Sequence, residues 1–467
     1  MSHRRIVGAD GTERVLLIDE IASFQSRLAG DVLWPDDDRY DAARKVWNGM
    51  VDKRPGAIAR CAQTADVVAC MQFARQHNLL ISVRGGGHNY AGKSVCNGGL
   101  VVDLSPLKSV LVDTARRTAL AQAGTRLGAF DEATQMHGLA TTLGVNTDTG
   151  IAGLTLGGGY GWLGGKFGLA CDNLLSAEIV TADGTVLKAS ANENIDLFWG
   201  IRGAGANLGI VTLLEYRVHP VGGVLGGMVL YPMEEGRSVL RLLDDFSAEC
   251  PDEVSTTGLL LTTPDGQPAV GIAVCYCGPP EAGAKALAPL TRSIPVLANG
   301  IAVQPYVQLQ RMFDPAWPPG RLYYDKSCIT RRLSDAAIET LLEFGRTMPT
   351  QLSAIGFQQL HGVAGRVGVG ETAFPHRFDH FCVFIHPATD DRAEAGKIVS
   401  WGRRCWEALQ PEVERAVYVN ALEDWIDEGE HRVKQAYGPN YDRVAALKRQ
   451  YDPTNFLTGN QNIRPAG

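Results

Sequence analysis

The sequence predicts an α+β fold with two cores, and three observations carry that expectation. The chain has 467 residues, more than one hydrophobic core usually supports. Its first 220 residues set glycine-dense loops beside short apolar strands, and its middle section mixes strands and helices without such loops. A hydrophobic content of 45 % with interspersed charge marks a globular chain.

The elements follow in order. Ala65–Arg75 has helical spacing, Leu79–Val83 reads as a short buried strand, and Gly99–Leu104 as another. Between the strands stands Arg84-Gly85-Gly86-Gly87-His88-Asn89, closed by Gly92. Consecutive glycines let backbone approach a ligand closely, and their N–H groups suit an anion such as a pyrophosphate. A second cluster runs from Thr149, Gly150 and Gly153 to Gly158, Gly159, Tyr160 and Gly161. It lacks the Gly-Lys-Ser/Thr ending of a P-loop, and Gly165 and Gly168 break the helix that a Rossmann glycine turn needs. Two such loops suggest one extended cofactor gripped from two sides. Glu178–Leu187 reads as a hairpin about Asp183-Gly184, and a third glycine-dense stretch ends in Gly209, Ile210 and Val211. Glycines 222 to 227 mark a turn into the middle section, where Ala269–Cys275 is a strand and Asp335–Phe344 a helix with Ser334 as its N-cap.

The ordered set Arg-Gly-Gly-Gly-His-Asn, Gly-Gly-Gly-Tyr-Gly-Trp, Asp-Leu-Phe-Trp, Arg-Gly-Ala-Gly-Ala-Asn-Leu-Gly-Ile-Val-Thr, and the terminal Tyr451–Phe456 with Asn460-Gln461-Asn462 resembles the FAD-linked oxidases of the vanillyl-alcohol oxidase superfamily, in their berberine-bridge-enzyme-like branch. The resemblance spans about Trp34 to Pro465. It implies a two-part FAD-binding domain over residues 1–220, an α/β substrate domain with an antiparallel sheet over 221–415, and a segment over 416–467 that returns to the FAD domain. It further implies covalent FAD through His88, cofactor contacts from the glycine-loop residues named above and from Asn460 and Asn462, and hydride transfer followed by reoxidation with O2 to give H2O2. An imidazole that is largely neutral at cellular pH can form such a bond.

Two positions depart from the family's pattern. Doubly linked members carry a cysteine where this chain has Asn146, so the second linkage is expected to be absent, which mildly favours a smaller or more enclosed substrate. Many members carry Tyr-x-Asn-Tyr, its last tyrosine acting as general base; here the stretch reads Tyr418-Val419-Asn420-Ala421, and Ala421 cannot take a proton. The search for catalytic groups therefore moves to the middle section. Strand alternation there puts Tyr324 and Lys326 on one face and Gln359 and His361 on one face, as candidates for base or orienter over the flavin.

A net charge of −7 without a basic block gives no electrostatic case for nucleic acid or anionic membrane, and no apolar run approaches a membrane span. The N-terminus lacks an apolar signal region, and ten scattered cysteines read as buried thiols of a reducing cytoplasm. His376 and His380 have metal-ligand spacing with Cys382 close behind, but without a cysteine pair or a second motif no metal is expected. The expected partners are a small-molecule substrate and O2, with the chain a monomer or homodimer. Two alternatives to a general oxidase remain open, a flavin amine oxidase and a drug-binding flavoprotein with little turnover.

Overall fold

The computed structural model describes residues 3–423 and 429–467. The α+β expectation holds, and the sheets divide the labour. A four-stranded sheet orders Asp31–Leu33, Ala57–Arg60, Leu100–Asp103 and Ile81–Arg84, the last three parallel. Parallel strands need a crossover, and the helix Thr64–Gln76 supplies it, burying Val67, Cys70, Met71 and Ala74. An antiparallel sheet orders Val186–Ser190, Leu174–Val180, Ile210–Arg217, Thr118–Gln122 and Val110–Asp113. The Asp183-Gly184 turn closes its hairpin, Gly184 adopting φ +86° and donating to the Thr181 carbonyl at 2.9 Å.

The third sheet is antiparallel; the short strands Ala298–Asn299 and Ala302–Pro305 edge the strand Gly223–Pro232, followed in space by Pro268–Tyr276, Val254–Thr262, Ala354–Leu360, His380–His386 and Lys326–Thr330. Gly226 and Gly227 lie inside the strand Gly223–Pro232, where a turn had been expected. A Cβ on Gly227 would stand 2.1 Å from the Gly300 carbonyl oxygen, so glycine here serves close backbone approach. Strand alternation then decides what each face does. Leu260, Val270, Ile272, Val274, Ile355, Phe357, Val383 and Ile385 are buried against the helices Gly236–Glu249, Asp335–Arg346 and Ala395–Leu409. Ser334 caps the second of these by accepting from the Ala337 N–H at 3.1 Å. The opposite face, with Thr257, Leu259, Gly356, Gln358, Phe384 and His386, looks into a cavity shared with the glycine loops.

Buried charge ties the layers together. Arg377, its side chain fully buried, donates both terminal nitrogens to Asp172 at 2.7 and 2.8 Å, joining the loop before the strand His380–His386 to the turn that follows the second glycine loop. The C-terminal helix Tyr441–Tyr451 places Lys448 2.8 Å from Asp452, both fully buried, and Asp452 accepts the N–H groups of Phe456 and Leu457. Val417, Leu422, Tyr437, Leu447, Phe456 and Ile463 belong to the same apolar core as the first two sheets.

One contact between the two parts responds to pH. Asp131, on the helix Leu127–Gln135, is buried and accepts from Gln310 Nε2 at 2.8 Å, while its Oδ1 has no partner. Burial pushes this carboxyl up to about 7. A folded-state value above the unfolded one means that Asp131 contributes stability fully below the unfolded value near 4 and loses it as pH rises through about 7. Asp131→Asn, which keeps an acceptor for Gln310 without a charge, should therefore gain stability over the wild type as pH rises through that window, by up to roughly 4 kcal/mol. Urea unfolding of both proteins at both ends of the window measures it; a difference independent of pH would contradict the assignment.

Candidate active site

The strand Ile81–Arg84 delivers the first glycine loop to one wall of a cavity of about 360 Å³, and the helix Ile151–Leu156 begins at the second. The loops touch. A Cβ on Gly86 would lie 2.4 Å from Gly150 Cα, and one on Gly150 would lie 2.4 Å from Gly86 N, so neither position admits a side chain. Gly87 adopts φ +70° and turns the chain so that His88 enters the cavity wall. His88 stacks on Trp47 with ring centroids 4.2 Å apart, its Nε2 is buried without a partner, and burial drives its pKa down to about 3. The ring is thus neutral, with a buried nitrogen unsatisfied by any protein group.

The aromatic wall continues beyond His88. Trp47 meets Tyr90 edge-on at 5.2 Å, Tyr90 stacks on His386 at 5.7 Å, and His386 stacks on Phe384 at 5.3 Å. His386 Nδ1 lies 2.6 Å from Oδ1 of Asp325, which is fully buried and whose own N–H donates to Glu423 Oε1 at 2.6 Å. Burial, and then the Asp325 charge, raise the Tyr90 phenol well above its usual range. Opposite, Tyr418 accepts from the Gly159 N–H at 3.1 Å and from Asn420 Nδ2 at 2.8 Å, and burial raises its phenol too. Tyr160 donates to His380 Nε2 at 2.9 Å because His380 Nδ1–H is committed to the Phe378 carbonyl at 2.6 Å.

The cavity gathers Gly85, Gly86, Gly87, His88, Asn89, Thr149, Gly150, Gly153, Tyr160 and Asn460 among the residues expected to meet a cofactor. Asn460 Nδ2 binds the Ala206 carbonyl at 2.6 Å while its Oδ1 is buried without a partner. Other expected contacts stand behind the wall. Arg84 turns away to the Ala43 carbonyl and toward Asp103, and Gly92 packs on Val51. Gly158, Gly159 and Gly161 shape the turn against Phe374, Ala170 and the Leu143 carbonyl. Ile210 and Val211 are strand core, and Gly209, with no room for a Cβ beside Ile179, leads into that strand. Asn462 lies outside the lining, its Oδ1 buried without a partner.

The four catalytic candidates are not brought to this cavity. Gln359 faces the helices, donating to the Ser247 carbonyl at 2.8 Å and accepting from Thr256 Oγ1 at 2.8 Å. His361 is 2.7 Å from the Val254 carbonyl. Tyr324 packs beside Gly402 and Pro387, and Lys326 Nζ sits 5.3 Å from the centre of the Trp406 ring. In each strand the face packed under helices was chosen; the face over the cavity is the other one, with Gln358 one residue from Gln359 and with His386, Phe384 and Thr257. Alternation of Phe381, Val383 and Ile385 against His380, Cys382, Phe384 and His386 is the signal that could have found it. Both departures from the family's pattern, Asn146 and Ala421, line the cavity. Neither His376 nor His380 offers a metal an open nitrogen pair, since His376 Nε2 meets the Val417 carbonyl at 2.9 Å and His380 spends both nitrogens. Among the described residues no cluster of three or more His, Cys, Asp or Glu could hold a metal ion.

Comparison with known proteins gives a consistent result. Residues 55–190 match the family model described as an FAD binding domain, and residues 417–464 match the one described as berberine and berberine-like. An FAD-linked oxidoreductase of Dictyostelium discoideum is 31 % identical over 451 residues, covering 95 % of this chain and 97 % of that protein. The (R)-6-hydroxynicotine oxidase of Paenarthrobacter nicotinovorans is 29 % identical, over 94 % of this chain and 98 % of its own. The crystal structure of 6-hydroxy-D-nicotine oxidase from Arthrobacter nicotinovorans superposes with a TM-score of 0.85 at 28 % identity, covering 94 % of this chain and 98 % of that one.

The contact between loops predicts a graded pair of variants. Gly86→Ala must push backbone apart at Gly150 and should abolish flavin retention in purified protein. Gly85→Ala, whose Cβ would meet only the Ala123 carbonyl at 3.3 Å, should retain most of it. The ratio of flavin to protein absorbance reads both, and equal retention would contradict the cradle.

Proposed function

The chain belongs to the berberine-bridge-enzyme-like FAD-linked oxidoreductases of the vanillyl-alcohol oxidase superfamily, and from that premise we propose an oxidase with flavin bonded to His88. It takes hydride from a small organic substrate and delivers the electrons to O2, giving H2O2. One observation carries the reading: a buried, neutral imidazole with an unpartnered nitrogen stands in the wall of a cavity gripped by two glycine loops that touch.

The residues present fit the cofactor. Gly85, Gly86 and Gly150 offer backbone without side chains, and Asn460 carries a buried oxygen that lacks a protein partner. FAD supplies two-electron acceptance from a C–H bond when bound. The chain's own residues do the rest. His88 anchors, Trp47 holds its ring in place by stacking, and Thr257, Gln358 and Asn146 offer hydrogen bonds to a substrate. Phe313, Trp317, Phe384 and Leu259 give the cavity apolar walls that exclude water. Asn146 cannot form a thioether, so the reading includes a single covalent link.

Oxidation of an amine is a second reading, favoured by the similarity to (R)-6-hydroxynicotine oxidase and by the absence of a proton acceptor at Ala421. Ten free thiols, nine of them buried, fit a reducing compartment and support a cytoplasmic setting.

Flavin should remain on the wild-type protein after acid denaturation, and His88→Ala should release all of it as dissociable FAD; absorbance of the precipitated protein decides. Complete release from wild type, or retention by His88→Ala, would remove the anchor. Peroxide should accumulate with turnover in air, and rapid anaerobic reduction by NADH with catalytic cycling would replace the oxidase reading.

A further inference from the structure

We propose that His386, with Asp325 beside it, is the catalytic proton acceptor of this site, and that the substrate carries a hydroxyl on the carbon that is oxidised. The inference rests on the flavin oxidase reading and specifies its chemistry. His386 lines the cavity from the third sheet, with Nδ1 turned 2.6 Å from the fully buried Asp325 carboxylate, which leaves Nε2 for a ligand. The Asp325 main chain is held by its N–H, which donates to Glu423 Oε1, and among the described residues neither carboxylate oxygen has a hydrogen bond of its own, so the nearby imidazole is the group within its reach. This is the arrangement of an oriented base: a ring in the wall, a buried carboxylate on its far nitrogen, and a further group behind.

Comparison within the cavity singles out His386. Among the other imidazoles and phenols, burial lowers His88 to about 3, too weak to hold a proton, and raises Tyr90, Tyr160, Tyr418 and Tyr437, which keep theirs. Position agrees, since His386 joins the ring stack that runs from His88 through Trp47 and Tyr90. The charged and titratable groups facing it are Asp325 and Tyr90, with Glu423 behind Asp325; Lys326 lies toward Trp406 on the helix side.

The chemistry then selects a hydroxyl. In a secondary or primary alcohol the C–H bond breaks with its electron pair, the hydride passes to the oxidised flavin, and the carbon–oxygen bond becomes a carbonyl. That step generates a strongly acidic oxygen unless the O–H bond breaks with it, its proton going to His386 Nε2. A neutral amine needs no such acceptor, because its lone pair stabilises the cation. A base fixed by a buried carboxylate is therefore of use to the alcohol and idle for the amine.

The test uses the full-length flavin-loaded protein, with histidines labelled in the ring nitrogens for NMR. The signal lost in His386→Asn, or in His386→Gln should the first fail to fold, identifies the ring. In wild type it should show an Nδ1–H tautomer, with Nε2 carrying the lone pair that can accept a proton. In Asp325→Asn the preference for the Nδ1–H tautomer should weaken, because the buried carboxylate beside that nitrogen is gone. A panel of 4-methoxybenzyl alcohol, cinnamyl alcohol and 1-phenylethanol, each with its matched amine, should reduce the flavin anaerobically as alcohols. His386→Asn should slow that reduction by about 10²-fold or more, and Asp325→Asn should slow the alcohols in step with the loss of the Nδ1–H tautomer. An Nε2–H tautomer in wild type, or an amine preference unaffected by His386→Asn, overturns the proposal. Both variants should keep flavin through acid denaturation. Flavin lost from wild type as well would instead sink the His88 anchor, leaving the imidazole measurement to stand or fall on its own.

Discussion

Everything in the site hangs on a contact made by atoms that are not there. Gly86 and Gly150 come from loops 64 residues apart in the chain, and each occupies the space that the other's Cβ would need. The approach brings two runs of backbone N–H groups to one cavity, and it fixes where His88 stands relative to the second loop. Around it the protein supplies rigidity from several directions. Tyr418 accepts from Gly159, Asn420 ties the Tyr418 hydroxyl to the Leu154 carbonyl, and Arg377 clamps Asp172 behind the turn. Buried pairs of this kind are costly to break from one side and so resist local opening.

The cofactor half was legible in the sequence because its signals are local. A glycine triplet ahead of a histidine, at the end of an apolar strand, says where backbone must be bare, and tertiary structure has little freedom to overrule it. Ser334, Asp183-Gly184 and Thr64–Gln76 were legible for the same reason, since caps, turns and helical spacing act within a few residues.

The substrate half was legible as a sheet and illegible as a surface. A strand has two faces, and a polar residue on either can be catalytic or structural. Gln359 and Gln358 are neighbours with the same side chain. One bonds to Ser247 under a helix, the other looks into the cavity, and only the packing of the helices Gly236–Glu249 and Asp335–Arg346 tells them apart. Asp325 and His386 stand 61 residues apart and meet through the pairing of Lys326–Thr330 with His380–His386, a long-range register that no local motif announces.

The cavity draws its lining from Trp47 near one end of the chain to Gln461 near the other, with each glycine loop and the third sheet between them. During synthesis the first loop leaves the ribosome long before Tyr418, Asn420 and Asn460 exist to close over it. A nascent chain thus carries half of the cavity's lining, open to water. The same late segment completes the apolar core of the first two sheets, so the wall over the first glycine loop and the core beneath it are finished by one stretch of chain.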